Sequence, residues 1–215
     1  MVAYHFSFDL RYFGFTQWDF YHDPFWLNAR TLILTSFLLI AGISLTLAQR
    51  DRASPTRFRR HVARIALCAL AVSAASFLLF PESWIWFGVL HAIAVSLVLA
   101  RPLVRRPALA LVIGAAMIAA GTFYSNAIFD NRALGWLGFM TGKPRTEDYV
   151  PLFPWTGVLL AGIAAGHVVV KNGLRPIAFA SRWPPWVAWL GRHSLPIYMV
   201  HQPLLLGALY LVAGR

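Results

Sequence analysis

The chain has 215 residues, 59% of them hydrophobic and only 13% charged, with a formal net charge of +11. Soluble domains carry about a quarter charged residues, so this composition, with a mean hydropathy of +0.60, excludes an ordinary soluble domain and predicts a membrane protein. The basic excess does not predict nucleic acid binding, because the arginines sit between apolar runs, as the topology signal of a membrane protein does.

The chain opens on Met1-Val2-Ala3-Tyr4-His5-Phe6-Ser7-Phe8-Asp9-Leu10. Eight residues of helix rise only ~12 Å, against a hydrocarbon core of ~30 Å. Without a basic n-region and a long apolar h-region, the start does not read as a signal peptide. The expectation is a partial N-terminal helix, lacking the start of its first span. His5 and Asp9 are four apart and share a helix face, where a carboxylate can orient an imidazole for general-base work; a plain interfacial pair is the alternative. The following loop, Arg11–Arg30, is rich in aromatics and holds His22 beside Asp23 and Pro24. Such rings serve either as an interfacial belt or as a cap whose flat faces stack on a sugar.

Apolar runs then predict about six full spans, near 30–48, 62–80, 84–101, 108–126, 153–171 and 186–212. With no water at bilayer depth, each must pair its backbone internally, so the fold class is all-α: a polytopic integral membrane helix bundle, one domain over 1–215. Cys68 lies in the second run and, as the single cysteine, cannot form an intrachain disulfide. His91 falls near the middle of the third run. An ionisable group at that depth is a functional hypothesis by default, against a structural hydrogen bond between helices. His61 and His167 lie near basic inner loops and read as structural.

The last run holds Gly191-Arg192-His193-Ser194-Leu195-Pro196-Ile197-Tyr198-Met199-Val200-His201-Gln202-Pro203. A charged side chain at the centre of a bilayer helix costs at least ~2.5–3.5 kcal/mol on insertion scales. Ser194, Tyr198, His201 and Leu205 fall on one face, and Pro196 predicts a kink through its clash with the Arg192 carbonyl. The alternative is a hydrogen-bonding seam between helices.

The connections sort by charge. Arg50, Arg52, Arg57, Arg59, Arg60 and Arg64 surround one, Arg101, Arg105 and Arg106 the next, and Lys171, Arg175 and Arg182 the third. The alternate connections hold Asp9, Asp19, Asp23, Glu82, Asp130, Glu147 and Asp148. Positive-inside logic puts the first set in the cytoplasm and the second outside. The seven histidines show no HxxxH or HExxH spacing, so no metal site is expected.

The chain resembles the bacterial branch of the heparan-α-glucosaminide N-acetyltransferase catalytic-domain family. The resemblance rests on Met1–Leu10, Phe37–Leu45, Phe87–His91, Tyr149-Val150-Pro151-Leu152-Phe153-Pro154-Trp155 and the stretch around Ser194–Pro203. It departs where the Arg-Gly-containing half of the first helix is missing, and where Arg30 and Thr31 stand in place of an acidic residue. What it implies is transfer of an acetyl group from cytoplasmic acetyl-CoA to an amino sugar or glycan at the outer face, in a bacterial inner membrane. The lysosomal relatives use a histidine of the first outer loop, which corresponds to His22. On this reading His22, or His5 with Asp9, is the base. His91, Trp155, Arg192, His193, Ser194, Tyr198 and His201 line the path of the acyl donor, and the inner arginines hold the coenzyme's phosphates. The partners are then the lipid bilayer, acetyl-CoA and the glycan acceptor, with a homodimer left open. A small histidine-lined transporter and a non-catalytic membrane subunit are the rivals; the transporter predicts acids inside spans and a repeat of broken helices, and neither is seen.

Overall fold

The computed structural model describes residues 1–51, 54–146 and 148–213; Arg52 and Glu147, used in the charge reading, lie outside the described residues. Among the described residues all regular structure is helical. The α-helices are α1 (Val2–Tyr12), α2 (Pro24–Arg50), α3 (Pro55–Leu79), α4 (Val89–Ala100), α5 (Pro107–Phe123), α6 (Arg132–Gly135), α7 (Leu152–Lys171), α8 (Pro185–Arg192) and α9 (Ser194–Ala213). By length and composition α2, α3, α7 and α9 can cross a membrane, while the apolar segments Val89–Leu103 and Pro107–Phe123 are shorter. The six expected full spans thus correspond to four helices of spanning length and two shorter ones.

Helix starts follow local chemistry. Asp23 precedes Pro24, and its Oδ1 accepts the Phe25 N–H at 2.8 Å, so α2 has both a capping side chain and a proline in its first turn. Ser54 does the same for α3, accepting from the Arg57 N–H at 3.2 Å ahead of Pro55.

By internal packing the chain forms two compact units: residues 1–36 with 179–215, and residues 37–178. In the second unit the tightest pairing is α5 against α7. Gly114 and Gly157 face each other there, and a Cβ on either would meet the other's carbonyl oxygen. Small residues let the backbones approach, and dispersion then holds them, since lipid gives helices no hydrophobic reason to associate. Between α4 and α7, the Ser96 and Thr156 hydroxyls bond at 2.7 Å, both almost wholly buried.

Two expectations are corrected here. The run predicted at 84–101 becomes helical only at Val89, so His91 sits in the first turn of α4 and not mid-span. The cause is a cap supplied from far along the chain: the Asp148 carboxyl accepts the Val89 N–H at 2.7 Å. Gly88 makes room for it, because a Cβ there would overlap that carboxyl group. A negative group is favourable at a helix N-terminus, where N–H groups lack partners. The run predicted at 186–212 is likewise not one helix kinked at Pro196. It breaks at His193 into α8 and α9, which puts Pro196 in the first turn of α9, where its missing N–H removes no bond. The proline inside the helix is Pro203.

In the first unit α1 packs on α9, and α8 on α9. Phe20 from the aromatic loop is buried, 4.1 Å from the Trp26 ring and 5.5 Å from Tyr4 between centroids. Phe15, Trp18, Tyr21 and Phe25 of the same loop are exposed, so the loop serves both as core and as outward aromatic surface.

Replacing Gly157 with alanine should lower stability by about 1–3 kcal/mol through overpacking against α5. Gly207→Ala, where an added Cβ meets nothing within 4 Å, should leave it unchanged or slightly raised. Thermal unfolding of the two variants in the same detergent separates the effects.

Candidate functional site

Two sets of residues that the sequence offers separately, His5 with Asp9 and Tyr198 with His201, come together where α1 packs on α9. His5 and His201 lie with ring centroids 5.1 Å apart, edge to face, and Tyr198 stands 5.6 Å from His201. Asp9 is 2% exposed and His201 9%. A buried carboxyl group needs a partner. Gln202 supplies one, its Nε2 donating to Asp9 Oδ1 at 2.8 Å across 193 residues of sequence. Each helix thus contributes an imidazole and an amide or carboxyl group, four residues apart on α1 and adjacent on α9.

The tautomer of His201 follows from its neighbour. The Tyr198 carbonyl lies 2.6 Å from Nδ1, and a carbonyl can only accept, so Nδ1 carries a proton, which in the neutral ring leaves Nε2 the lone pair. That Nε2 is enclosed and meets no hydrogen-bond partner among the described residues, and the same holds for Gln202 Oε1. Leaving a buried acceptor unpaired costs about 1–3 kcal/mol. Such atoms mark a place where strain, water or a ligand has to be considered.

The other predicted residues are placed differently. His22 stays in the outer loop with its side chain 86% exposed. Its Nδ1–H donates to Asp19 Oδ2 at 2.9 Å, while Asp19 Oδ1 accepts the backbone N–H groups of Tyr21 and His22 at 2.9 and 3.1 Å. The Tyr21 N–H, followed by the His22 side chain, holds the Asp19 carboxyl below the usual carboxylate range. This dyad fixes the ring and leaves its Nε2 outward. Arg192, His193 and Ser194 are exposed around the break between α8 and α9. There His193 stacks on Trp189 at 4.4 Å and donates from Nδ1 to the Trp189 carbonyl at 2.9 Å.

His91 and Trp155 belong to the other unit. Both ring nitrogens of His91 are engaged. Nδ1 accepts the Gly88 N–H at 3.3 Å, so Nε2 carries the proton toward Ser73 Oγ at 3.3 Å. Ser73 in turn donates to the Ile85 carbonyl, and Ser76 accepts the Ile85 N–H at 2.9 Å. The side chains of His91, Ser73 and Ser76 pin the non-helical segment that leads into α4. Above them Tyr149 donates its hydroxyl to the Gly135 carbonyl at 2.6 Å, and burial pushes that hydroxyl up to about 12. Trp155 lies half-buried in the first turn of α7.

The sequence reading did not single out Gln202 or Asp19. Gln202 stands four residues after Tyr198, so the same helical spacing that marks His201 also marks it. Asp19 stands three before His22, a distance that turns commonly bridge.

A family model described as heparan-alpha-glucosaminide N-acetyltransferase, catalytic, matches residues 1–203. Comparison with curated proteins and with solved structures gives no match.

Asp19 has a lowered folded value, so its bond to His22 is fully formed above the ordinary carboxylate range of about 4 and is lost as pH falls through the lowered value. Ring signals of His22 followed by NMR should report that loss below pH 4. Asp19→Asn should abolish the inflection and leave the His5 and His201 signals in place.

Proposed function

The chain belongs to the heparan-α-glucosaminide N-acetyltransferase catalytic family, and from that premise we propose a specific reaction. It is an integral-membrane acetyltransferase of a bacterial inner membrane. It moves an acetyl group from cytoplasmic acetyl-CoA to the amino group of an amino sugar or glycan at the outer face. The observation that carries the placement of the chemistry is His201, with Nδ1–H committed to the Tyr198 carbonyl and a bare, enclosed Nε2 beside His5.

Transfer from a thioester to an amine needs the amine in its neutral form, a base to make it so, and donors for the oxyanion. The acceptor arrives as an ammonium ion and gives one proton to His201 Nε2. The freed nitrogen lone pair attacks the thioester carbonyl, the C–N bond forms, and the carbonyl oxygen takes the negative charge. His5 and Tyr198 are the donors at hand for that oxygen. As the intermediate collapses the C–S bond breaks, the coenzyme leaves as thiolate and takes the second proton from nitrogen. His201 then gives its proton to solvent, and the products are amide, coenzyme thiol and one released proton. Asp9, whose Oδ1 accepts from Gln202 Nε2, is the buried carboxyl group on the α1 side of the site. Burial excludes the water that would otherwise hydrolyse the donor.

A second reading rests on the Asp19–His22 dyad. A carboxylate-oriented loop histidine with an outward Nε2 also suits a base or an acetyl-carrying nucleophile, in the position that the resemblance indicates.

In sealed vesicles supplied with radiolabelled acetyl-CoA and a glucosamine-bearing acceptor, His201→Ala should lower transfer by ~10²–10⁴-fold, the usual contribution of a general base. Gln202→Ala should raise the acceptor KM more than it lowers kcat. If His201→Ala retains transfer while His22→Ala abolishes it, the chemistry moves to the loop dyad. Absence of incorporation into any amine acceptor would end the acetyltransferase reading.

A further inference from the structure

α8 is eight residues long, Pro185–Arg192, and none of them is buried. Only Val187 is half-buried, and α8 packs on α9. Helices shorter than ~12–15 residues are marginal in water, and in proteins the missing stability comes from packing one face against something. The exposed side of α8 has such a face. Trp186, Trp189 and Leu190 stand at i, i+3 and i+4 and so share it, with 62%, 51% and 41% of their surfaces open. Trp183, three residues before Trp186, extends the row and is 52% exposed. His193 stacks on Trp189 at 4.4 Å and donates from Nδ1 to its carbonyl at 2.9 Å, which holds that indole in the row. Helical spacing puts Ala188, Gly191 and Arg192 on the other side.

A contiguous exposed apolar row marks a surface that meets something, and the chemistry of this one selects a bilayer interface. The 20 residues of α9 rise ~30 Å, which matches the hydrocarbon core without help from α8. With α9 crossing the membrane, α8 joins it at His193 and lies where that span ends. Indole rings suit this depth, with the apolar body toward acyl chains and the N–H toward water. The charges agree. Arg182 stands before the row and Arg192 after it, both exposed, and the sequence has no Asp or Glu beyond Asp148. Anionic headgroups complement such a segment. A second copy of α8 does not, because pairing two such faces brings arginines together with no carboxylate side chain of the segment between them.

We propose that α8 is an interfacial anchor that docks on an anionic lipid leaflet. Trp186, Trp189 and Leu190 lie at the boundary between headgroups and acyl chains, and Arg182 and Arg192 lie among the headgroups. The row is covered by lipid and not by protein. The anchor takes no part in the acetyl-transfer reading, since none of its tryptophans belongs to the site at His201.

The test uses the full chain in nanodiscs of mixed phosphatidylglycerol and phosphatidylcholine. A nitroxide is attached through Trp186→Cys or, separately, through Ala188→Cys, each with Cys68→Ala. Paramagnetic resonance then measures its collisions with oxygen, which concentrates in lipid, and with a water-soluble nickel chelate. The Trp186→Cys label should meet oxygen more than nickel, and the Ala188→Cys label the reverse. Pure phosphatidylcholine discs, or Arg182→Gln in the mixed discs, should raise nickel contact of the Trp186→Cys label by about twofold or more. Thermal midpoints in detergent that match wild type separate lost docking from lost folding. The unlabelled chain gives a second reading: brominated phosphatidylglycerol should quench part of its indole emission, and Trp186→Phe with Trp189→Phe should reduce the quenched part. Nickel reaching both labels alike, both reagents excluded from the Trp186→Cys label as a covering protein would exclude them, or no response to headgroup charge each overturns the proposal. None of these readouts depends on acetyl transfer, so either reading can fail while the other stands.

Discussion

A polar atom inside a membrane bundle has no water to turn to, and that constraint organises the chain. Every N–H, hydroxyl or imidazole placed at depth must find a partner within the protein or remain a liability of about 1–3 kcal/mol. The second unit meets the demand almost pedantically. Ser96 and Thr156 bond each other, Thr46 reaches two carbonyls, and His91, Ser73 and Ser76 together satisfy the segment before α4. Glycine contact between α5 and α7 brings those two backbones together as well.

The first unit behaves differently. Where α1 meets α9, the Asp9–Gln202 bond follows the same rule, but His201 Nε2 and Gln202 Oε1 do not. Satisfaction elsewhere is what gives this exception meaning, because the chain evidently has the means to pair its buried groups. Unspent acceptors beside a second imidazole are a natural setting for proton transfer, and they motivate placing the amine acceptor there.

Much of the fold was legible because membrane composition and helix length speak through local sequence. The runs that became α2, α3, α5 and α7 are visible as apolar stretches near 30–48, 62–80, 108–126 and 153–171, but α2 and α3 begin earlier, at Pro24 and Pro55, where Asp23 and Ser54 cap them. The start of α4 was not, because Trp84–Phe87 are as apolar as the helix that follows, and the group that sets the boundary stands 59 residues away. The break at His193 was hidden by Pro196, whose presence suggested a kink in a continuous helix. The site was half legible. The His5–Asp9 spacing and the polar face of α9 could be read locally, but nothing local says that a residue near 5 and one near 201 lie ring against ring. Nor does spacing reveal a tautomer, which the Tyr198 carbonyl decides.

The Asp148 cap on α4 also has a consequence in time. Residue 148 is translated 59 residues after Val89, by which point α5 has already been synthesised. The first turn of α4 must therefore enter the membrane with the Val89 N–H still open, and it acquires its partner only once the long connection before α7 has been made. A connection lengthened or shortened after Phe123 would accordingly act on α4, an element already synthesised.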